Sequence, residues 1–187
     1  MKSTLFNVAL LVTAILPTSA IFANAGGHSG AIQSFDLRRV EVTSPTFLHA
    51  QMLAKDYLLG LDADRLLAPY YKEAGLKPLA ENYPNWENTG LDGHIGGHYV
   101  SALAYMFAAT GDLRVKERLD YMVTHLAEAQ DSDGCLSGVV GGHALWNEIF
   151  RKGDIRAGAF SLNDRWVPLY NIHKVMAGLR DAYLVGG

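Results

Sequence analysis

His94 and His98 stand four residues apart in Gly93-His94-Ile95-Gly96-Gly97-His98-Tyr99, the stretch richest in groups able to do chemistry. On one turn of helix that spacing brings two imidazoles to the same face, where they could chelate zinc. The glycine pair between them favours a loop instead, and no glutamate directly follows the first histidine as it does in zinc proteases. Three roles stay open for the pair: metal binding, hydrogen bonding to a ligand, and structural bonds to backbone. Trp86 and Tyr99 flank it. Aromatic faces beside polar groups suit a sugar ring, with its C–H faces and hydroxyl edges, and a tryptophan there could equally close a core beneath a loop.

Trp166, Tyr170 and His173 form a second cluster, at i, i+4 and i+7 beside an apolar face that contains Val175 and Leu179. All three wall a pocket if a helix includes Trp166. If the helix begins at Pro168, only Tyr170 and His173 stay in register. His143 and Trp146, with Glu148 nearby, give a weaker signal. Glu87, Asp92, Glu148 and Asp164 are carboxylates of the type that glycosidic acid–base chemistry uses. That chemistry needs a pair at a defined separation, which sequence does not supply, so none of the four is assigned a catalytic role. Cys135, the single cysteine, excludes an intrachain disulfide. It lies in the turn Asp131-Ser132-Asp133-Gly134-Cys135-Leu136, with no neighbouring histidine or basic group to lower its pKa, and reads as a small semi-buried hydrophobe.

The elements that must position these groups are helical. Ser44-Pro45 reads as N-cap and first residue of a helix through about Leu59, and Asp62 caps a shorter one through Tyr71. From Leu76 to Gly97 there is no periodicity, and a loop of that length is more often functional than accidental. Val100, Leu103, Ala104, Phe107 and Ala108 then keep helical spacing from Tyr99 to Thr110. Gly111 stops that helix and Asp112 caps the next, giving an antiparallel hairpin. Residues 131 to 164 form a second irregular stretch, followed by a helix through about Leu184. Helix hairpins alternate with glycine-rich loops and no sheet is expected, so the fold class is all-α, in a toroid or solenoid style. The chain stops at Gly186-Gly187, directly after a helix, and stacked hairpins need closure. A truncated, N-terminal part of a larger protein is therefore expected.

Residues 1 to 25 read as a secretory signal peptide, with Lys2, an apolar core from Leu5 to Pro17, and Ala23-Asn24-Ala25 as a small-x-small cleavage site. The protein is expected to be exported, periplasmic or secreted, with no stable membrane span after cleavage. Residues 26 to 43 read as a flexible lead with a short strand from Arg39 to Thr43, and 44 to 187 as the helical domain. Of 187 residues, 49% are hydrophobic, enough for one sizeable core. Sixteen basic against 19 acidic residues, with no basic run, exclude nucleic acid as a partner class.

Several runs together resemble the N-terminal part of bacterial glycoside hydrolases acting on β-L-arabinofuranosides, families 127 and 146, formerly a domain of unknown function. They are Tyr57-Leu58-Leu59, Asp64-Arg65-Leu66-Leu67, Trp86-Glu87, the run from Gly93 to Ala104, Ala109-Thr110-Gly111-Asp112, Tyr121-Met122-Val123, Gln130, the run from Trp166 to Lys174, and Ala177-Gly178-Leu179. The resemblance implies an (α/α)6 barrel, normally followed by β-sandwich domains, and an arabinose-containing oligo- or polysaccharide as partner. It implies a cysteine nucleophile held near Zn2+ by further cysteines and a glutamate, with another glutamate as acid/base. None of that apparatus maps onto these residues, and Cys135 does not match it. What carries over is a sugar-pocket wall: His173 matches a histidine that contacts the arabinofuranose, and Trp86, His94, His98 and Tyr170 are its implied neighbours. A different class stays open beside this one, a non-catalytic helical-repeat module whose loops hold a glycan or a protein.

Overall fold

The computed structural model describes residues 35–187. The signal peptide and residues 26–34 of the lead lie outside the described residues. Six helices are found among those residues: α1 (Pro45–Gly60), α2 (Ala63–Glu73), α3 (His94–Thr110), α4 (Leu113–Glu128), the short α5 (Gly142–Trp146) and α6 (Pro168–Val185). None of them is long and apolar enough to cross a membrane. The all-α expectation holds.

The helix boundaries follow local chemistry. Asp62 and Asp112 each accept the backbone N–H two residues on, from Asp64 and Arg114, and so cap α2 and α4. Pro45 and Pro168 open α1 and α6, where a missing N–H costs nothing. Gly111, at φ 64°, ends α3 and lets the chain turn back into α4. Two strongly amphipathic helices, α2 and α4, pack against α3 around Leu66, Tyr70, Leu103, Val115, Met122 and Leu126, all buried.

The central pairing is α3 with α6. Asp92 meets Asn171, Gly97 meets Lys174, and Ser101 meets Asp181, so the two helices run parallel. Parallel neighbours joined through an intervening hairpin are the arrangement of stacked helical hairpins. Their backbones nearly touch. A Cβ on Gly97 would lie 2.3 Å from the Lys174 carbonyl carbon, and one on Gly178 would lie 2.4 Å from the Gly97 oxygen.

That contact corrects the first expectation. Gly96-Gly97 is not a loop: α3 starts at His94 rather than Tyr99, and the glycines are the flat spot on which two neighbours sit. Gly97 admits α6, while a Cβ on Gly96 would come within 3.0 Å of the Tyr70 ring on α2. The Arg39–Thr43 strand is not formed either. A 3-10 turn at Leu37–Arg39, capped by Asp36, precedes extended chain with no strand partner among the described residues. Two alternating valines without a sheet edge to pair with cannot make a strand. Conversely, a small antiparallel ribbon exists where none was expected, with β1 (Ala157–Gly158), β2 (Ser161–Leu162) and β3 (Arg165–Trp166) in that order. Asn163 holds its turn, donating to the Asp154 carbonyl and accepting from the Arg156 N–H.

Candidate functional site

The site grows from the N-terminus of α3. Gly93 takes the left-handed conformation there, at φ 90°, and has no side chain to cap the helix. Glu87, from the 3-10 turn Asn85–Asn88, supplies the cap from outside. Its Oε2 accepts the Gly93 N–H at 2.9 Å and its Oε1 accepts the Ile95 N–H at 3.0 Å. Those donors are orphans of the first turn, and the positive end of the helix dipole favours a carboxylate there. Glu87 is fully buried, 1% exposed, and its Oε1 also lies 2.6 Å from Nδ1 of His94.

A second polar layer fixes the loop. Asn82 donates to the Glu87 carbonyl and to Asp92, whose other oxygen accepts the Gly90 N–H. Asn171 of α6 donates to the Asp92 carbonyl, and the buried Tyr70 hydroxyl donates to the Gly93 carbonyl at 2.5 Å. Burial, reinforced by the Glu87 charge, pushes the Tyr70 phenol well above its ordinary value, so it serves only as a neutral donor.

Four of the five predicted sugar-wall residues meet at this surface. Ring centroids of Trp86 and His94 are 6.3 Å apart, those of His94 and Tyr170 5.9 Å, and those of His98 and Tyr170 6.5 Å. His94 and His98 stand edge to face at 6.4 Å. His98 Nε2 is 3.5 Å from the Tyr170 hydroxyl, and Lys174 Nζ sits 4.5 Å over the Tyr170 ring. His173, the fifth, is exposed on α6, close enough to His98 for its charge to be felt there. Trp166 does not share the α6 stripe. It ends the ribbon, and Val167, at φ 39°, turns the chain before the helix opens at Pro168. Trp166 instead faces Trp86 across an open groove of about 790 Å3, lined also by Tyr57, Tyr83 and Ile95.

The two histidines are tuned in opposite directions. Burial lowers the His94 pKa, but hydrogen bonds to Glu87 and the Leu91 carbonyl, together with the Glu87 and Asp92 charges, outweigh it and hold the imidazole above its ordinary value. Burial and the nearby Lys174, His94 and His173 hold His98 below. Opposed shifts on adjacent groups are a mark of sites that handle polar ligands. Trp86, Tyr170, His98 and His173 are exposed and can stack on a sugar ring or exchange hydrogen bonds with its hydroxyls, while His94 is buried beside them, 4% exposed.

Sequence reasoning passed over Glu87, Asn171 and Lys174 as site members. Asn171 and Lys174 flank His173 within the α6 motif, and the sequence signs for Glu87 are its carboxylate, one of four with no role assigned, and its place beside Trp86. His143 and Trp146 lie elsewhere, lining a separate apolar cavity of about 500 Å3 with Phe150 and Met176. His143 Nδ1 is 2.5 Å from Asp131, and Glu148 pairs with Arg156 at 3.5 Å and accepts from Asn163. Asp164 is exposed, 3.6 Å from Arg156. Among the described residues no three His, Cys, Asp or Glu side chains converge to hold a metal ion.

No curated protein matches the chain. The family described as β-L-arabinofuranosidase, GH127 catalytic domain, matches residues 39–187, which takes in every element from α1 to α6 and both clusters of aromatic and imidazole groups. The chain therefore belongs to the GH127 β-L-arabinofuranosidase catalytic-domain family of glycoside hydrolases.

Proposed function

We propose that the complete protein is an exported, retaining hydrolase of β-L-arabinofuranosides in plant glycans, and that Trp86, His94, His98, Tyr170 and His173 wall its sugar pocket. The observation that carries this reading is the cluster of the Trp86, His94, Tyr170 and His98 rings, with successive centroids 6.3, 5.9 and 6.5 Å apart, beside the open groove between Trp86 and Trp166, in a chain of this family. The open apolar faces of α1 and α6, with Phe47, Leu53, Met176 and Tyr183 exposed, are where further hairpins of a closed toroid would pack.

The zinc-bound cysteine chemistry of the family does not fit the residues described. No metal-binding group converges among them. The Cys135 thiol is pushed up to about 11 by burial and by the carboxylates of Asp133, Asp131 and Glu73, the opposite of an activated nucleophile. The metal's ligands and the nucleophile are proposed to follow residue 187 in the complete protein.

The test is hydrolysis by the complete gene product of β-L-arabinofuranosides against other glycosides, with retention read from the anomer first released. His173→Ala should raise KM about ten-fold without changing the melting temperature, the loss expected of one hydrogen bond to a sugar. Unchanged kinetics would remove His173 from the pocket, and inactivity on every arabinofuranoside would overturn the substrate assignment.

A further inference from the structure

His94 is held at one ring nitrogen by two groups that can only accept. Nδ1 lies 2.6 Å from Glu87 Oε1 and 2.7 Å from the Leu91 carbonyl oxygen. A carbonyl has no proton to give, and the carboxylate already accepts the Gly93 and Ile95 N–H groups. The proton shared in this triangle therefore sits on Nδ1. Nε2 is left as the free atom of the ring. It has no hydrogen-bond partner among the described residues, and it is not one of the fully buried polar atoms that lack one there. The ring is 4% exposed and lies next to those of Trp86, His98 and Tyr170, with centroids 6.3, 6.4 and 5.9 Å away.

From this geometry we infer that Glu87 is a positioning residue of the glycan site, fixing His94 as the Nδ1–H tautomer so that Nε2 accepts a hydrogen bond from a sugar hydroxyl. The inference rests on the sugar-pocket reading for its ligand, but the tautomer itself does not. One carboxylate does two things at once. Its bonds to Gly93 and Ile95 fix the first turn of α3, and its bond to Nδ1 fixes the ring that projects from that turn. His94 therefore cannot swing or flip without losing its bonds to Glu87 and the Leu91 carbonyl, which holds the acceptor in one place before the sugar arrives. The raised His94 pKa agrees with this pairing. The other charged or titratable groups around the ring are Asp92 in the loop, His98 on α3 and Tyr170 on α6, with Lys174 and His173 beyond His98.

The first measurement is the 15N spectrum of the His94 ring in the unaltered protein, at a pH above its titration. Protonated Nδ1 with bare Nε2 sustains the assignment; protonated Nε2 overturns it. This readout needs no variant to fold and no substrate to be known. The second compares Glu87→Gln in two backgrounds, in the complete gene product, by KM and kcat on an arabinofuranoside. In the unaltered background KM should rise about ten-fold with kcat nearly kept, the fold-change of one lost acceptor. In a His94→Asn background the same change should add nothing further. An equal loss in both backgrounds means that Glu87 acts through the helix cap alone, and the proposal falls. If the complete protein hydrolyses no arabinofuranoside, the substrate reading fails, and the ring spectrum alone decides for or against the tautomer.

Discussion

At the scale of single residues, the site separates side chains that were visible by type from one that was visible only by contact. Trp86, His94, His98 and Tyr170 could be named in advance because aromatic and imidazole groups crowd two short motifs. Glu87 could not, because an acidic residue in a loop is usually solvated and nothing in the sequence says that this one is buried against three donors. The opposed tuning of the histidines gives a prediction with a definite sign. Folded His98 binds its proton less readily than unfolded His98, so its contribution turns against the fold as pH drops below the ordinary imidazole value of 6.5. His98→Asn should lose less stability than the parent between about pH 8 and about pH 5, read from thermal melts. Folded His94 binds its proton more readily, so its pairing stabilises fully below 6.5 and fades as pH rises through the raised folded value. The deficit of His94→Asn against the parent should accordingly be greatest in acid. A steeper acid loss in His98→Asn than in the parent would contradict the lowered pKa of that ring. Cys135, pushed up to about 11, should resist alkylation at neutral pH in the folded protein and react once denaturant is added.

At the scale of elements, two of the described helices are capped by a carboxylate from a distance. Gly93 and Gly141 both start a helix in the left-handed conformation with no side chain to offer. Glu87 bridges the N–H groups of Gly93 and Ile95; Glu73, at the end of α2, bridges those of Gly141 and His143 at 2.8 and 3.0 Å. In each case one carboxylate spans the cap residue and the residue two further on, tying a glycine-rich loop to the helical frame. Glu73→Ala should cost about 1–2 kcal/mol, the range of a lost cap, and should expose the 137–146 loop to proteolysis before the rest of the fold opens. The α3 and α6 pairing makes a sharper claim. Gly97→Ala puts a methyl into the α6 backbone, which no rotamer change can relieve, and should cost about 3 kcal/mol or more. Gly60→Ala, at the end of α1 with nothing within 4 Å of the added carbon, should be neutral or slightly stabilising. Denaturant melts of the two variants measure the contrast, and equal midpoints would refute the close approach.

At the scale of the whole molecule, the described residues make one layer of parallel helices backed by hairpin partners, with apolar side chains open on α1 and α6. On the proposed reading those faces belong against further hairpins. The 187-residue chain expressed alone should then bind an apolar dye and turn over no arabinofuranoside, whereas turnover by that chain would place the reacting groups within it. The sequence by itself determined that the chain is helical, where most helices begin and end, which family it belongs to, and which aromatic and imidazole residues are worth watching. Those features are local: caps, proline positions, a 3.6-residue apolar period and contiguous motifs all lie within one turn or one loop of the residues they govern. Tertiary structure alone decided that Gly96-Gly97 lies inside a helix, because a glycine pair looks the same in a loop and at a helix crossing until α6 is laid against it. It decided that Trp166 leaves the α6 stripe to face Trp86, since a left-handed turn at Val167 is not written in any periodicity. It also made Glu87 a buried partner of His94 rather than a solvated acid. Burial and the direction of a shared proton depend on what three separate segments place around one atom.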